Sequence, residues 1–446
     1  MPVPKPRPDT RRVQRTAQQT TLRWLLVVAV WLTGMTLVAG VMAYVKLDRS
    51  PGELMRYAER RLQGHPKLEW VSKPVFSVLR PLIERPVGGG VTPEPNVGPH
   101  PNRLPTQRYD TDGRPLSIGQ GSKPHSIAAN STRLVAVSTF DELNRAIANA
   151  RPGDVIELNA GVYVMKRNMG TPVGGTPLQP ITVRGIRPGA AIIESGAIEG
   201  FHITQPYWIF EDLVIKGTCS VHDYCEHAFH VSGAAKGTVI RNSRLEDFNA
   251  HVKVNGHPPH KWPDDGLIEY NSLRNNSPRR TQTPVTPIDI VGADRWRVTH
   301  NYIGHFIKWG SNGISYGVFM KGGGHDGVIE HNHIACTESD ISQEGVRVGV
   351  SFGGGGSGPA FCRDGKCITE FSGGVLSDNK IEHCNDYGVY INKSNQILIA
   401  RNQILNTYGI DVRFPESSAI LIGNKVGGKI RSREGGVVHH EQDRGN

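Results

Sequence analysis

Apolar and polar positions follow one recurring pattern over the C-terminal half of the chain. A run of apolar residues leads to an Asn, and a further apolar residue follows shortly after it. The motif reads VIRNSRL around Asn242, LIEYNSL around Asn271, WRVTHNYI around Asn301 and VIEHNHI around Asn332. It continues as LSDNKI, ILIARNQI and ILIGNKV around Asn379, Asn402 and Asn424, while WIFEDLVI carries Asp212 in the same role. Successive steps are 30, 29, 30, 31, 47, 23 and 22 residues. A period of that size, with one strand pattern per repeat, predicts a solenoid. Asn suits the corner of such a coil because its short amide tolerates left-handed backbone and bonds nearby main chain. Stacked coil on coil, the amides can bond one another as a ladder.

A second strand follows in each coil: AFHVSG, HVKVNG, PIDIVG, GVFMKGG, GVSFGGG, GVYINK and GIDVRF. Aligned by their apolar residues, these strands turn Val318 and Met320 inward and Phe319 and Lys321 outward. Stacking then creates two outward columns. One holds His230, Lys253, Asp289, Phe319, Ser351, Tyr390 and Asp411, and the other Ser232, Asn255, Val291, Lys321, Gly353, Asn392 and Arg413. Mixed charge with Tyr and His along one sheet face makes it the expected binding groove. The 47-residue step contains an insertion, roughly residues 353–368, of the kind that builds a binding face on solenoids.

Upstream, Thr139 is a suitable N-cap for a helix over 140–150, whose Phe140, Leu143, Ala146, Ile147 and Ala150 recur at helical spacing. Pro152-Gly153 ends it and a strand over 155–158 follows. This looks like the helix that closes the first end of pectate-lyase-type β-helices and covers an unpaired sheet edge.

Further upstream, Leu25 to Val45 form 21 residues without a charge, long enough to span a bilayer as a helix. The expectation is a retained signal anchor, with residues 1–24 a basic cytoplasmic tail and the body at an inner membrane, on its periplasmic or extracytoplasmic side. Residues 46–133, rich in Pro and Gly between 74 and 124, read as a juxtamembrane linker. The expected architecture is all-β: a right-handed parallel β-helix over 134–435 with an N-terminal capping helix, one transmembrane helix before it, and a tail over 436–446.

Charge narrows the partners. The formal net charge of +10 is confined to residues 1–133, which hold 20 Lys+Arg against 9 Asp+Glu; residues 134–446 hold 31 against 32. A neutral body gives no reason to expect nucleic acid as partner. All six cysteines lie in the body without doubled C-x-x-C spacing, so no metal or other cofactor is expected. Cys219 with Cys225 and Cys362 with Cys367 could each close a small loop. Cys336 and Cys384, four and five residues after the Asn of successive coils, are expected to bond across one strand spacing. The His251, His257 and His260 stretch fits no standard metal site.

The segment SYGVFMKGGGHDGVIEHNHI resembles β-helix proteins of the polysaccharide lyase family that includes chondroitinase B and alginate lyases. There a Lys at the outward end of a strand, about ten residues before a coil Asn, acts as base; here Lys321 precedes Asn332 by eleven. The resemblance implies removal of a proton α to a uronate carboxylate, with a cation to stabilise the resulting dianion. It departs at the family's next-coil Arg, replaced here by Phe352-Gly353, and at its calcium-binding carboxylates, replaced by Ser315 and Tyr316. The neutralising group is therefore unassigned.

The function expected from all this is binding of a polysaccharide along the outward face, with β-elimination by Lys321 if the protein is an enzyme. Lys253 and Asp289 are further catalytic candidates, against the competing reading of an ion pair between coils. His230, Asn255, Tyr390, Asn392, Asp411 and Arg413 are expected substrate contacts, with Asp411 and Arg413 alternatively pairing with each other. Trp309 is a further candidate for stacking on sugar. A non-catalytic carbohydrate-binding solenoid is the first alternative, and a glycoside hydrolase the second.

Overall fold

A computed structural model of the chain describes residues 118–122, 133–256, 261–338, 344–354 and 357–441, with the backbone of two short strands, Arg108–Tyr109 and Pro115–Leu116. Among the described residues, three parallel sheets of twelve, ten and ten strands wrap one apolar interior. Ten coils contribute a strand to each sheet in turn, and each strand inside a sheet pairs with the equivalent strand of the coils before and after it. Phe201, Phe229, Val252, Ile288, Val318, Val350, Val389 and Ile410 run through the interior of the third sheet. All are fully buried, as period-2 alternation against an enclosed core requires.

The helix Phe140–Ala148 caps the first end and buries Leu143 and Ile147. Thr139 accepts from the Glu142 amide at 3.2 Å, and the Glu142 carboxylate reaches back to the Ser138 amide at 2.8 Å. Together they satisfy two donors that the first helical turn leaves open.

The corners between the first and second sheets carry the amide ladder. Asn271, Asn301, Asn332, Asn379 and Asn402 each donate from Nδ2 to the Oδ1 of the next coil's Asn at 3.0 Å. The reason for Asn differs in part from the expectation. The left-handed residue in these coils is usually the one before it: Tyr270, His300, His331, Asp378 and Arg401. Only Asp212 and Asn242 adopt positive φ themselves. The ladder selects Asn for its paired donor and acceptor, since Asn301 Nδ2 also bonds the carbonyls of Ile268 and Thr299.

One reading of the N-terminal third needs correction. No helix among the described residues is long and apolar enough to cross a membrane, so the anchor, the membrane partner and the inner-membrane location are withdrawn. The expected span Leu25–Val45 lies outside the described residues. The linker, read as a spacer, lies on the β-helix at one point. Gly119 donates to the His300 carbonyl at 3.0 Å, Gln120 to Ser272 Oγ at 3.1 Å and Gly121 to Asn242 Oδ1 at 2.7 Å. Ile118 is buried with Tyr302 and Ala335.

Three disulfides join Cys219 to Cys225, Cys336 to Cys384 and Cys362 to Cys367. The second links successive coils. The third closes the insertion loop, whose Arg363 donates to both oxygens of Asp264 at 2.8 and 2.9 Å and lies over the Trp262 ring.

Candidate functional site

Sheet register settles which side chains share a wall. His202, His230, Lys253, Asp289, Phe319, Ser351, Tyr390 and Asp411 are successive neighbours across the third sheet. In the second column Ser232, Asn255, Val291 and Lys321 align in the same way, as do Asn392 and Arg413. The first column coincides with the alignment drawn from the apolar residues from His230 onward, and the second coincides at these six positions.

The centre of the wall is a charged cluster. Lys253 Nζ donates to Asp289 Oδ2 at 2.5 Å, and Lys321 Nζ stands 3.8 Å from Asp289 Oδ1. Asp289 Oδ1 is buried and has no hydrogen-bond partner among the described residues. Burial pushes the Asp289 carboxyl up, but Lys253 and Lys321 outweigh it and hold the group below its usual range. Two lysines thus bracket one carboxylate. Lys321 also lies 4.1 Å from the centre of the Phe319 ring, which stacks on Tyr316 at 4.4 Å.

The fold requires glycine directly after Lys321. Gly322 has φ of +76°, and a Cβ there would meet Val291 Cγ1 at 2.7 Å and the Gly292 amide nitrogen at 2.8 Å. Its carbonyl accepts from the Arg363 amide at 2.9 Å, so the insertion loop abuts the strand end that carries Lys321.

One coil toward the N-terminus, His230 bonds Glu199 Oε1 through Nδ1 and Asn255 Oδ1 through Nε2, both at 2.7 Å. His202 stacks on His230 with ring centres 4.7 Å apart and bonds Ser232 Oγ through Nε2 at 2.9 Å. The hydrogen bond from His230 holds the Glu199 carboxyl below its usual value despite burial. Burial drives the neighbouring His227 down to about 3 and pushes Glu226 up.

Toward the other end, the Tyr390 hydroxyl accepts from Asn392 Nδ2 at 2.9 Å. Asp411 and Arg413 do not pair with each other: Arg433 binds Asp411 through two bonds of 2.7 Å, and Arg413 binds Glu434 at 2.7 Å. Asp411 lies four strands from Asp289, roughly 19 Å at about 4.8 Å per strand, too far for paired hydrolytic carboxylates. Trp309 sits on a separate two-stranded sheet with the Arg280 guanidinium over its ring, away from this wall. His251 is fully buried and bonds the Arg274 carbonyl, whereas His257 and His260 lie outside the described residues.

The calcium carboxylates that the resemblance implies have no counterpart here. Ser315 is buried with its hydroxyl on the Val346 carbonyl, and Tyr316 stacks on Phe319. Sequence reasoning missed Glu199, His202 and His227. The strand EGFHI, which holds Glu199 and His202, carries no Asn motif, and His227 stands ahead of the aligned part of the next strand. Its alternation of apolar Phe201 and Ile203 with outward His202 was the available signal.

No protein-family model matches the chain, and no curated protein is similar to it in sequence. Among solved structures, an alginate lyase from Paenibacillus sp. str. FPU-7 is 17% identical, with a TM-score of 0.41 over 70% of this chain and 99% of that one. A PL6 family polysaccharide lyase from Pseudopedobacter saltans is 12% identical, with a TM-score of 0.34 over 69% and 91%. The pectate lyase Pel9A is 11% identical, with a TM-score of 0.41 over 68% and 79%. At these values the likeness is one of fold: the chain resembles the β-helix solenoids of pectate and alginate lyases at low identity and over part of its length.

Proposed function

We propose that the protein binds a uronate-containing polysaccharide along the outward wall of the third sheet and cleaves it by β-elimination. The observation that carries this reading is the bracketing of Asp289 by Lys253 and Lys321. Lys253, in hydrogen-bond contact with Asp289, is suited by position to neutralise a uronate carboxylate and the dianion that forms from it. This gives the neutralising step the provider that the sequence left unassigned. Lys321, at an ion-pair distance too long for a hydrogen bond, is the proton acceptor when neutral. The electron pair of the broken C–H bond forms the double bond, the glycosidic C–O bond breaks, and the departing oxygen takes up a proton.

A second reading is favoured by the same carboxylate. Two lysines gathered around one Asp suit a wall that holds an acidic polymer without cutting it. Incubation with alginate, chondroitin and pectin separates the outcomes. Unsaturated uronate absorbance supports elimination, and retention on the polysaccharide without product supports binding alone. New reducing ends without that absorbance would mean hydrolysis and overturn the proposal.

A further inference from the structure

We infer that Phe361, on the insertion loop, stacks on a sugar ring of the acidic polysaccharide and positions that chain beside Lys321. The inference rests on the polysaccharide-binding reading above and adds a residue that sets affinity. Phe361 ends the short turn Pro359–Phe361 and is 55% exposed, whereas no other Phe or Trp among the described residues is exposed.

An exposed apolar side chain is common on any protein surface and carries no function by itself. What distinguishes Phe361 is how firmly its backbone is held. Its amide donates to the Gly358 carbonyl at 2.8 Å, and the next residue, Cys362, is bonded to Cys367. Inside that ring, Asp364 accepts from the Lys366 and Cys367 amides, both at 2.8 Å. Arg363 then fastens the loop to three successive turns of the solenoid. Its guanidinium bonds Asp264, the Gly292 carbonyl at 3.0 Å and Asp294 at 3.1 Å, and its amide bonds the Gly322 carbonyl. A side chain presented from such a frame costs little ordering entropy when a ligand meets it, so its contact goes largely into affinity.

The frame also places Phe361 next to the strand end that carries Lys321. A Cβ at Gly322 would stand 3.1 Å from the Phe361 carbonyl oxygen, and a Cβ at Gly354, where the insertion departs, would stand 2.6 Å from Phe319 Cζ. The loop thus leaves the wall beside Phe319 and returns beside Gly322, bracketing Lys321 along its strand. A uronate polymer offers two recognisable features, a carboxylate and the C–H face of each sugar ring. The wall supplies Lys253 and Lys321 for the first. The electron-rich face of an aromatic ring suits the second, because polarised C–H groups pack against it. Phe has no polar atom, so its contribution is to hold the chain rather than to move a proton.

The test is affinity electrophoresis of the full-length protein through gels containing alginate, chondroitin or pectin. On a polymer that retards the parent, Phe361→Ala should weaken the apparent Kd by about tenfold, the scale of losing an aromatic anchor. Phe361→Trp should restore it. Ile368→Ala, on the same loop and 62% exposed, should leave it unchanged. The thermal midpoint of Phe361→Ala should equal the parent's, because the side chain is exposed, and on a polymer that is cleaved KM should rise with kcat unchanged. Parental affinity in Phe361→Ala, or an equal loss in Ile368→Ala, would overturn this assignment and leave the binding reading intact. A parent retarded by none of the three polymers would overturn both, whereas retardation without cleavage ends the elimination reading alone and leaves this one supported by the Phe361 series.

Discussion

Lys321 Nζ stands 3.8 Å from Asp289 Oδ1 although the two residues occupy different outward columns on adjacent strands. The contact is diagonal. Asp289 pairs in register with Phe319 and bonds Lys253 on its other side, so the lysine two residues beyond Phe319 reaches back across the strand. The buried carboxylate is thus shared between two lysines of neighbouring strands.

Replacing Asp289 with Asn should therefore be costly. Removing one partner of a buried ion pair costs about 3–5 kcal/mol, here because two ammonium groups lose their counter-charge. The pH dependence has a defined sign. The folded carboxyl is held below its unfolded value, so its stabilisation is present above about pH 4 and is lost as pH falls through the folded value. Chemical denaturation between pH 3 and 7 should show Asp289→Asn less stable at neutral pH, with a smaller loss on acidification than the parent.

The buried histidines act in a higher window. Burial holds His227 down at about 3 and His251 at about 4. The unfolded chain takes up protons below about pH 6.5 that the folded chain refuses, so stability falls from there toward pH 4. Each histidine contributes roughly 1.4 kcal/mol per pH unit within that window. His227→Gln should flatten the dependence by one histidine's share when denaturation midpoints at pH 7 and pH 5 are compared.

Asn301→Ala should break the ladder at its middle. It removes amide donors to Ile268, Thr299 and Asn332 and the acceptor used by Asn271. Each buried group left unsatisfied costs about 1–3 kcal/mol. Thermal unfolding should show a drop of several degrees or more, clearly larger than for Asn424→Ala at the less buried end of the ladder.

The disulfide between Cys336 and Cys384 closes a 48-residue separation that includes the insertion. Chain entropy assigns such a link up to about 4 kcal/mol. The double variant Cys336→Ser/Cys384→Ser should unfold at lower denaturant, and reductant should shift the parent toward it.

The solenoid and both outward columns were legible in the sequence because strand alternation has a fixed period of two and the Asn motif fixes coil length. The partners of Asp411 and Arg413 were not. The alignment stopped before the strand Lys429–Arg433, which supplies Arg433, and before Glu434 just beyond it. The left-handed residue ahead of five of the ladder Asn residues was hidden for a different reason. Tyr, His, Asp and Arg all fill it, so composition gives no sign of the conformation. The Glu199–His202–His230 cluster was out of view because parallel pairing of strands about thirty residues apart assembles it, with no local motif to mark it.

The central claim is that Lys321 removes the uronate proton while Lys253 neutralises the charge that follows. The most direct measurement is the rate of unsaturated-uronate formation by the parent, Lys321→Ala and Lys253→Ala on alginate, chondroitin and pectin. A drop of about 10²–10⁴-fold for Lys321→Ala is expected from loss of a general base, with polysaccharide retention preserved. Product formation by Lys321→Ala at the parental rate would contradict the account.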